Sequence, residues 1–187
     1  MITFLLSVLV VAIAEIGDKS QILAVVLAAR FKKPVPIILA IVVATAANHI
    51  LAATGGYFLA NLLNGSWFRY LVAFSFVAVA AWTLIPERGD AAPSISSHSA
   101  FLATLVTYFL VEIGDKTQIA TIALAAHFHS IVLVTAGTTL GVTIADAPAV
   151  LLAEAATKYI PLRVMRGAAA ASFLALGIWA FADAIGA

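Results

Sequence analysis

An all-α integral membrane fold, with six transmembrane helices arranged as two inverted three-helix repeats, is predicted by three observations. Of the 187 residues, 64% are hydrophobic and only 10% charged, against roughly a quarter charged in an ordinary soluble domain. Apolar stretches long enough to cross a hydrocarbon core of about 30 Å occur at six places. The sequence also matches itself at a constant offset of 97 residues.

The first apolar stretch covers residues 2–29. It lacks the basic leader and small-residue cleavage site of a secretory signal, so it is read as a membrane helix. The second, third, fourth, fifth and sixth cover 34–63, 67–85, 100–126, 131–156 and 164–184. Several exceed the roughly 20 residues that a span needs, which predicts tilt or a break within them. The one polar connector of any length is 86–99, a Pro/Ser-rich tract holding Glu87, Arg88 and Asp90. It divides the chain into repeat one (1–85) and repeat two (100–187).

With no gap introduced, the offset carries Phe4 onto Phe101, Glu15 onto Glu112, Phe31 onto Phe128, Arg69 onto Arg166, Phe76 onto Phe173 and Trp82 onto Trp179. Identity at one offset across three spans points to internal duplication. Because each half has three spans, the second half starts on the opposite side of the membrane and the repeats are inverted. With the N-terminus outside, the cytoplasmic side holds Arg30, Lys32, Lys33, Arg88, Lys158, Arg163 and Arg166, and the other side only Arg69. This positive-inside bias puts both termini on the non-cytoplasmic side of a multi-pass protein.

Net charge of +1 offers nothing to nucleic acid, and the absence of cysteine excludes a disulfide framework, a thiolate metal site and thiol redox chemistry. No zinc-protease His-Glu-x-x-His, nucleophile elbow or phosphate-binding glycine loop is present, which argues against an enzyme. The chemistry is concentrated in a segment that occurs twice: Glu-Ile-Gly-Asp-Lys-(Ser/Thr)-Gln, at 15–21 and at 112–118. Each charge there costs about 2.5–3.5 kcal/mol at the centre of a membrane helix, so the doubled segment needs a function or a partner.

On a continuous helix Glu15, Asp18 and Lys19 share a face, as do Glu112, Asp115 and Lys116. That register predicts that each lysine pairs with the glutamate of its own copy. Gly17 and Gly114 weaken the helix between the carboxylates, and local unwinding there would present backbone carbonyls to a ligand. Inverted symmetry brings Glu15, Asp18, Glu112 and Asp115 together with the amide oxygens of Gln21 and Gln118 and the hydroxyls of Ser20 and Thr117. This all-oxygen set suits a hard divalent cation such as Mn²⁺ or Ca²⁺. Repulsion among the four acids favours proton uptake, so protons compete with the metal. The metal is cargo; no cofactor is expected.

Asn48 and His49 lie in the middle of the second span, and the offset sets Asp146 at the position of His49. These three are candidates for a proton relay or for the outer part of the site, or are simply hydrogen-bonded to a neighbouring helix. Pro148 loosens the helix after Asp146. Gly55, Gly56, Gly137 and Gly141 read as close-packing positions. His127 and His129 read as interfacial, Glu154 and Asp183 as solvated, and Trp67, Trp82, Trp179 and Tyr57 as interface anchors or packing.

The two copies of Glu-x-Gly-Asp-Lys-(Ser/Thr), one in the first span of each half, resemble the paired motifs of the GDT1 family, and the resemblance runs through essentially the whole chain. It implies cation/proton antiport with Mn²⁺ and Ca²⁺ as substrates, Glu15, Asp18, Glu112 and Asp115 as the central acids, and Gln21 and Gln118 at the matching motif positions. The short connector suggests a minimal prokaryotic-type form in the plasma membrane. Expected partners are the divalent ion, protons and the lipid bilayer, with homo-oligomerisation left open. Two other functions stay open: export of another cationic solute such as an amino acid, and a non-transporting membrane factor.

Overall fold

A computed structural model describes residues 1–63, 66–85, 99–152 and 162–186. The connector residues Glu87, Arg88 and Asp90, together with Glu154 and Lys158, lie outside the described residues, as do the side chains of Arg163 and Arg166. The described chain is all-helical: α1 (Ile2–Glu15), α2 (Lys19–Phe31), α3 (Pro34–Leu62), α4 (Ser66–Thr83), α5 (Ala100–Glu112), α6 (Lys116–Phe128), α7 (Ile131–Leu151) and α8 (Leu162–Gly186).

Among the described residues, three helices are long and apolar enough to cross a membrane unaided: Pro34–Leu62, Ile131–Leu151 and the Gly167–Gly186 part of α8. Ile2–Glu15, Trp67–Thr83 and Ala100–Glu112 are shorter apolar helices. The stretches 2–29 and 100–126 are each two helices rather than one, with the break falling in the repeated motif. Leu9, Val26, Leu39, Phe58, Phe74 and Ile178 are exposed on the helix surfaces, an arrangement suited to a hydrocarbon solvent rather than to water.

Helix starts follow the local sequence. Pro34 opens α3, where a missing N–H costs nothing. The hydroxyls of Ser99 and Ser130 accept from Leu102 N and Leu133 N at the starts of α5 and α7. The ends of α2 and α6 match each other closely. Lys32 (φ 52, ψ 34) and His129 (φ 51, ψ 39) both take the left-handed conformation, and their N–H groups donate to Ala28 O and Ala125 O.

Helices α3 and α7 pack against each other at the centre, with α5 and α6 against α3 and with α1 and α2 against α7. Small residues allow the backbones to meet. A Cβ on Gly137 would stand 2.7 Å from Phe4 O, one on Gly141 2.8 Å from Val8 O, and one on Gly56 would strike the Ile122 carbonyl. Gly55, next to it, has open space. Gly56, Gly137 and Gly141 thus serve the close packing expected of them, whereas Gly55 does not. We expect Gly56→Val to cost about 1–3 kcal/mol through overpacking and Gly55→Val to be near neutral, read as thermal unfolding in detergent. Equal losses at the two positions would contradict this packing.

Candidate metal and proton site

The break between α1 and α2 has a definite local cause. Ile16 leaves the helix in an extended conformation (φ −62, ψ 116), Gly17 turns the chain with φ 81, and Asp18 (φ −81, ψ 168) caps α2. The second copy repeats it: Ile113 (φ −63, ψ 122), Gly114 with φ 77, and Asp115 (φ −73, ψ 161) before α6. An L side chain in the left-handed region costs roughly 1–2 kcal/mol, so glycine is the residue that lets the chain reverse here. The unwinding foreseen at Gly17 and Gly114 is therefore present in both copies.

Gln21 and Gln118 hold the breaks in place. Gln21 Oε1 accepts from Gly17 N at 2.9 Å, and Gln118 Oε1 accepts from Gly114 N at 2.7 Å. These oxygens, expected in the ligand set, each also satisfy an amide freed by the unwinding. Gln21 Nε2 also donates to Ala145 O at 2.9 Å, which ties the first break to α7.

The lysines pair differently from the helical expectation. Lys116 Nζ is 2.6 Å from Asp18 Oδ1, and Lys19 Nζ is 3.0 Å from Asp115 Oδ1. Each lysine thus reaches the aspartate of the other motif copy. The physical reason is the break itself: with Glu15 ending α1 and Lys19 opening α2, the i, i+4 geometry that would place them on one face does not exist. Lys116 and Asp18 are almost wholly buried, whereas the Lys19 side chain is 31% exposed.

Glu15 and Glu112 are fully buried. Glu15 accepts from the Ser20 hydroxyl through Oε1, while its Oε2 has no hydrogen-bond partner. Neither oxygen of Glu112 has one. Both glutamates lie within electrostatic range of Asp18, Asp115 and Asp146. Thr117 stays within its own turn, its N and Oγ1 each 3.2 Å from Asp115 Oδ2. The four motif acids therefore share one region, yet among the described residues no three His, Cys, Asp or Glu side chains converge into a metal-holding group. Each aspartate is drawn onto a lysine.

Beside Glu112 stands His49, its Nε2 4.0 Å from Glu112 Oε2 and its Nδ1 2.9 Å from Thr138 Oγ1. The Thr138 hydroxyl also lies 2.9 Å from Val134 O and 3.2 Å from Thr135 O, and His49 Nε2 is left facing the carboxylate. Asn48 Nδ2 donates to Phe109 O at 3.0 Å, and its Oδ1 has no partner. Asp146 is fully buried and accepts from the Tyr108 hydroxyl. Tyr108, buried one turn before Glu112, was missed by the sequence reading; a hydroxyl four residues from a motif acid in an apolar run was the available signal.

His127 and His129 are remote from the motif acids. With Arg69 and Asp183 they line a separate cavity of about 410 Å³ between α3, α4, α6 and α8.

The family profile described as "Divalent cation/proton antiporter GDT1" matches residues 3–91 and 100–187. The chain belongs to the GDT1 family. A relative from Vibrio cholerae serotype O1, named "Putative manganese exporter", is 42% identical over 174 residues, which cover 92% of this chain and 87% of that protein. No solved structure matches the chain. Membership of the GDT1 family makes this a multi-pass integral membrane protein of a cation-transporting, not an enzymatic, class.

Proposed function

We propose that the chain exchanges a divalent cation, Mn²⁺ or Ca²⁺, for protons and exports the metal from the cytoplasm. It does so as six spans in two inverted repeats, 1–85 and 100–187, joined by 86–99, with both termini outside the cytoplasm of a prokaryotic plasma membrane. The observation that carries this reading is the crosswise pairing of Lys19 with Asp115 and of Lys116 with Asp18. Each ammonium occupies a carboxylate that a cation would need, so an arriving divalent ion displaces it. Glu15 and Glu112 supply oxygens with no other hydrogen-bond partner, and such buried groups are stable when neutralised by a proton or by a metal. Alternation between those two neutral forms is proton/metal exchange. Hard oxygen donors favour Mn²⁺ and Ca²⁺ over metals that recruit sulfur or imidazole. His49 next to Glu112, and Asp146 with Tyr108, extend the site as places where a proton is held or passed.

The second reading, export of an organic cation, has one observation in its favour: the acids already bind alkylammonium groups, those of Lys116 and Lys19. Reconstitution in liposomes separates the two. With a proton gradient imposed, Mn²⁺ entry reported by an internal dye and accompanied by proton movement is the expected result, and free lysine leaves it unchanged. Competition by lysine without Mn²⁺ movement would favour the organic-cation reading, and proton-independent Mn²⁺ flux would end the exchange reading.

A further inference from the structure

We infer that two matching aromatic clusters act as alternate latches, Trp179 on His127 and Phe128 at one end of the molecule and Trp82 on Arg30 and Phe31 at the other, and that the structure holds the first closed and the second open. This inference rests on the two-repeat reading above. Under the 97-residue offset α1 corresponds to α5, α2 to α6, α3 to α7 and α4 to α8. Most of the packing obeys that correspondence: α1 on α7 is matched by α5 on α3, and α2 on α7 by α6 on α3. The α4–α8 pair does not obey it. Helix α4 packs on α6 and α8 on α1, whereas the corresponding contacts, α8 on α2 and α4 on α5, are hardly made among the described residues.

Side-chain exposure has the same asymmetry. Lys116, at the start of α6, has 5% of its side chain exposed and the corresponding Lys19, at the start of α2, has 31%. Ile113, at the end of α5, is 54% exposed, while the corresponding Ile16, at the end of α1, is half-buried. The α4–α8 pair therefore covers the α1/α6 end and leaves the α2/α5 end uncovered at the depth of the acids. Arg30 in the last turn of α2, with Lys32 and Lys33 just after it, marks the end that the charge rule assigns to the cytoplasm.

Aromatic side chains mark the difference residue by residue. The Trp179 ring lies 4.9 Å from that of His127 and 5.7 Å from that of Phe128, centroid to centroid. The offset turns His127, Phe128 and Trp179 into Arg30, Phe31 and Trp82. In that second group the Arg30 guanidinium lies 5.3 Å over the Phe31 ring, the counterpart of the His127–Phe128 contact at 4.8 Å. Trp82 makes no ring contact among the described residues. Two of the three members are thus in contact with each other, and Trp82 stands apart from them. A planar guanidinium beside an aromatic ring offers Trp82 a stacking surface as good as the one His127 offers Trp179. Two packings of similar energy related by the repeat are what a carrier with two facing states requires. Swinging α4–α8 from α1/α6 to α2/α5 makes the Trp82 cluster and breaks the Trp179 cluster.

The chain contains no cysteine, so introduced pairs report cleanly. In reconstituted protein, the pair His127→Cys/Trp179→Cys and the pair Arg30→Cys/Trp82→Cys are each treated with a short thiol cross-linker. Both pairs are expected to link, each link is expected to stop transport, and reduction is expected to restore it. Trp179→Ala added to the second pair is expected to speed its linking, and Trp82→Ala added to the first to leave its linking intact. Failure of the 30/82 pair to link while the 127/179 pair links overturns the exchange of latches, as does Mn²⁺ transport that continues at full rate with the 127/179 link closed. If both pairs link but wild-type protein moves no Mn²⁺, the latches stand and the substrate assignment falls.

Discussion

Glu112→Gln is expected to lower proton-driven Mn²⁺ transport by roughly 10- to 100-fold, the rate equivalent of about 1.5–3 kcal/mol for one interaction with a charged group, while leaving the folded protein as stable as before or more so. The two halves of this expectation come from the same observation. Glu112 is wholly buried, and neither of its carboxylate oxygens has a hydrogen-bond partner. Buried carboxylates are normally paired and hydrogen-bonded, and one left bare destabilises the fold. Glutamine keeps the shape and removes the charge, so a structural role would show as a loss of stability and a role in binding as a loss of transport. Initial rates in proteoliposomes and thermal unfolding of the same preparation read both. Unchanged transport would remove Glu112 from the site; a lower melting temperature with transport lost in proportion would make it structural.

Asp18→Asn is expected to destabilise the protein by about 3–5 kcal/mol, the usual cost of breaking a buried ion pair from one side. Its partner Lys116 is 5% exposed and cannot turn to water. Lys116→Met alone removes the same contact from the other side and should cost a similar amount. The double variant Asp18→Asn/Lys116→Met should recover most of the loss, because replacing both partners by neutral groups is often close to neutral. Additive losses in this double-mutant cycle would show that the 2.6 Å contact carries no coupling. The same cycle at Lys19 and Asp115 should give a smaller coupling, since Lys19 is partly exposed and its charge is screened.

How far the sequence anticipates this structure depends on how local the relevant physics is. Gly17 and Gly114 signal the helix breaks because a positive φ is a property of one residue. Gly56, Gly137 and Gly141 signal close crossings for a similar reason: a missing Cβ has few other uses in a buried apolar helix. The crosswise pairs were not legible. Lys116 and Asp18 are 98 positions apart, and the spacing within each motif points to a nearer partner that the break removes. The hydrogen bonds of the glutamines to Gly17 and Gly114 were hidden for the same cause, since an unwound turn creates an orphan amide that a continuous helix lacks. His49 and Asp146 were singled out as titratable groups in an apolar run, but Thr138 and Tyr108, which orient them, have partners on other helices that no local pattern encodes.

Crosswise pairing also bears on ancestry. When two like units meet about a twofold axis, residue i of one contacts j of the other and j contacts i, the pattern that Lys19–Asp115 and Lys116–Asp18 follow. A half-length chain with one motif could not make such crosswise pairs alone, but it could make them against a second copy of itself. Were two such genes fused, the copies would be free to differ, as they do at His49 and Asp146, while the crosswise charges would join the two halves of one chain.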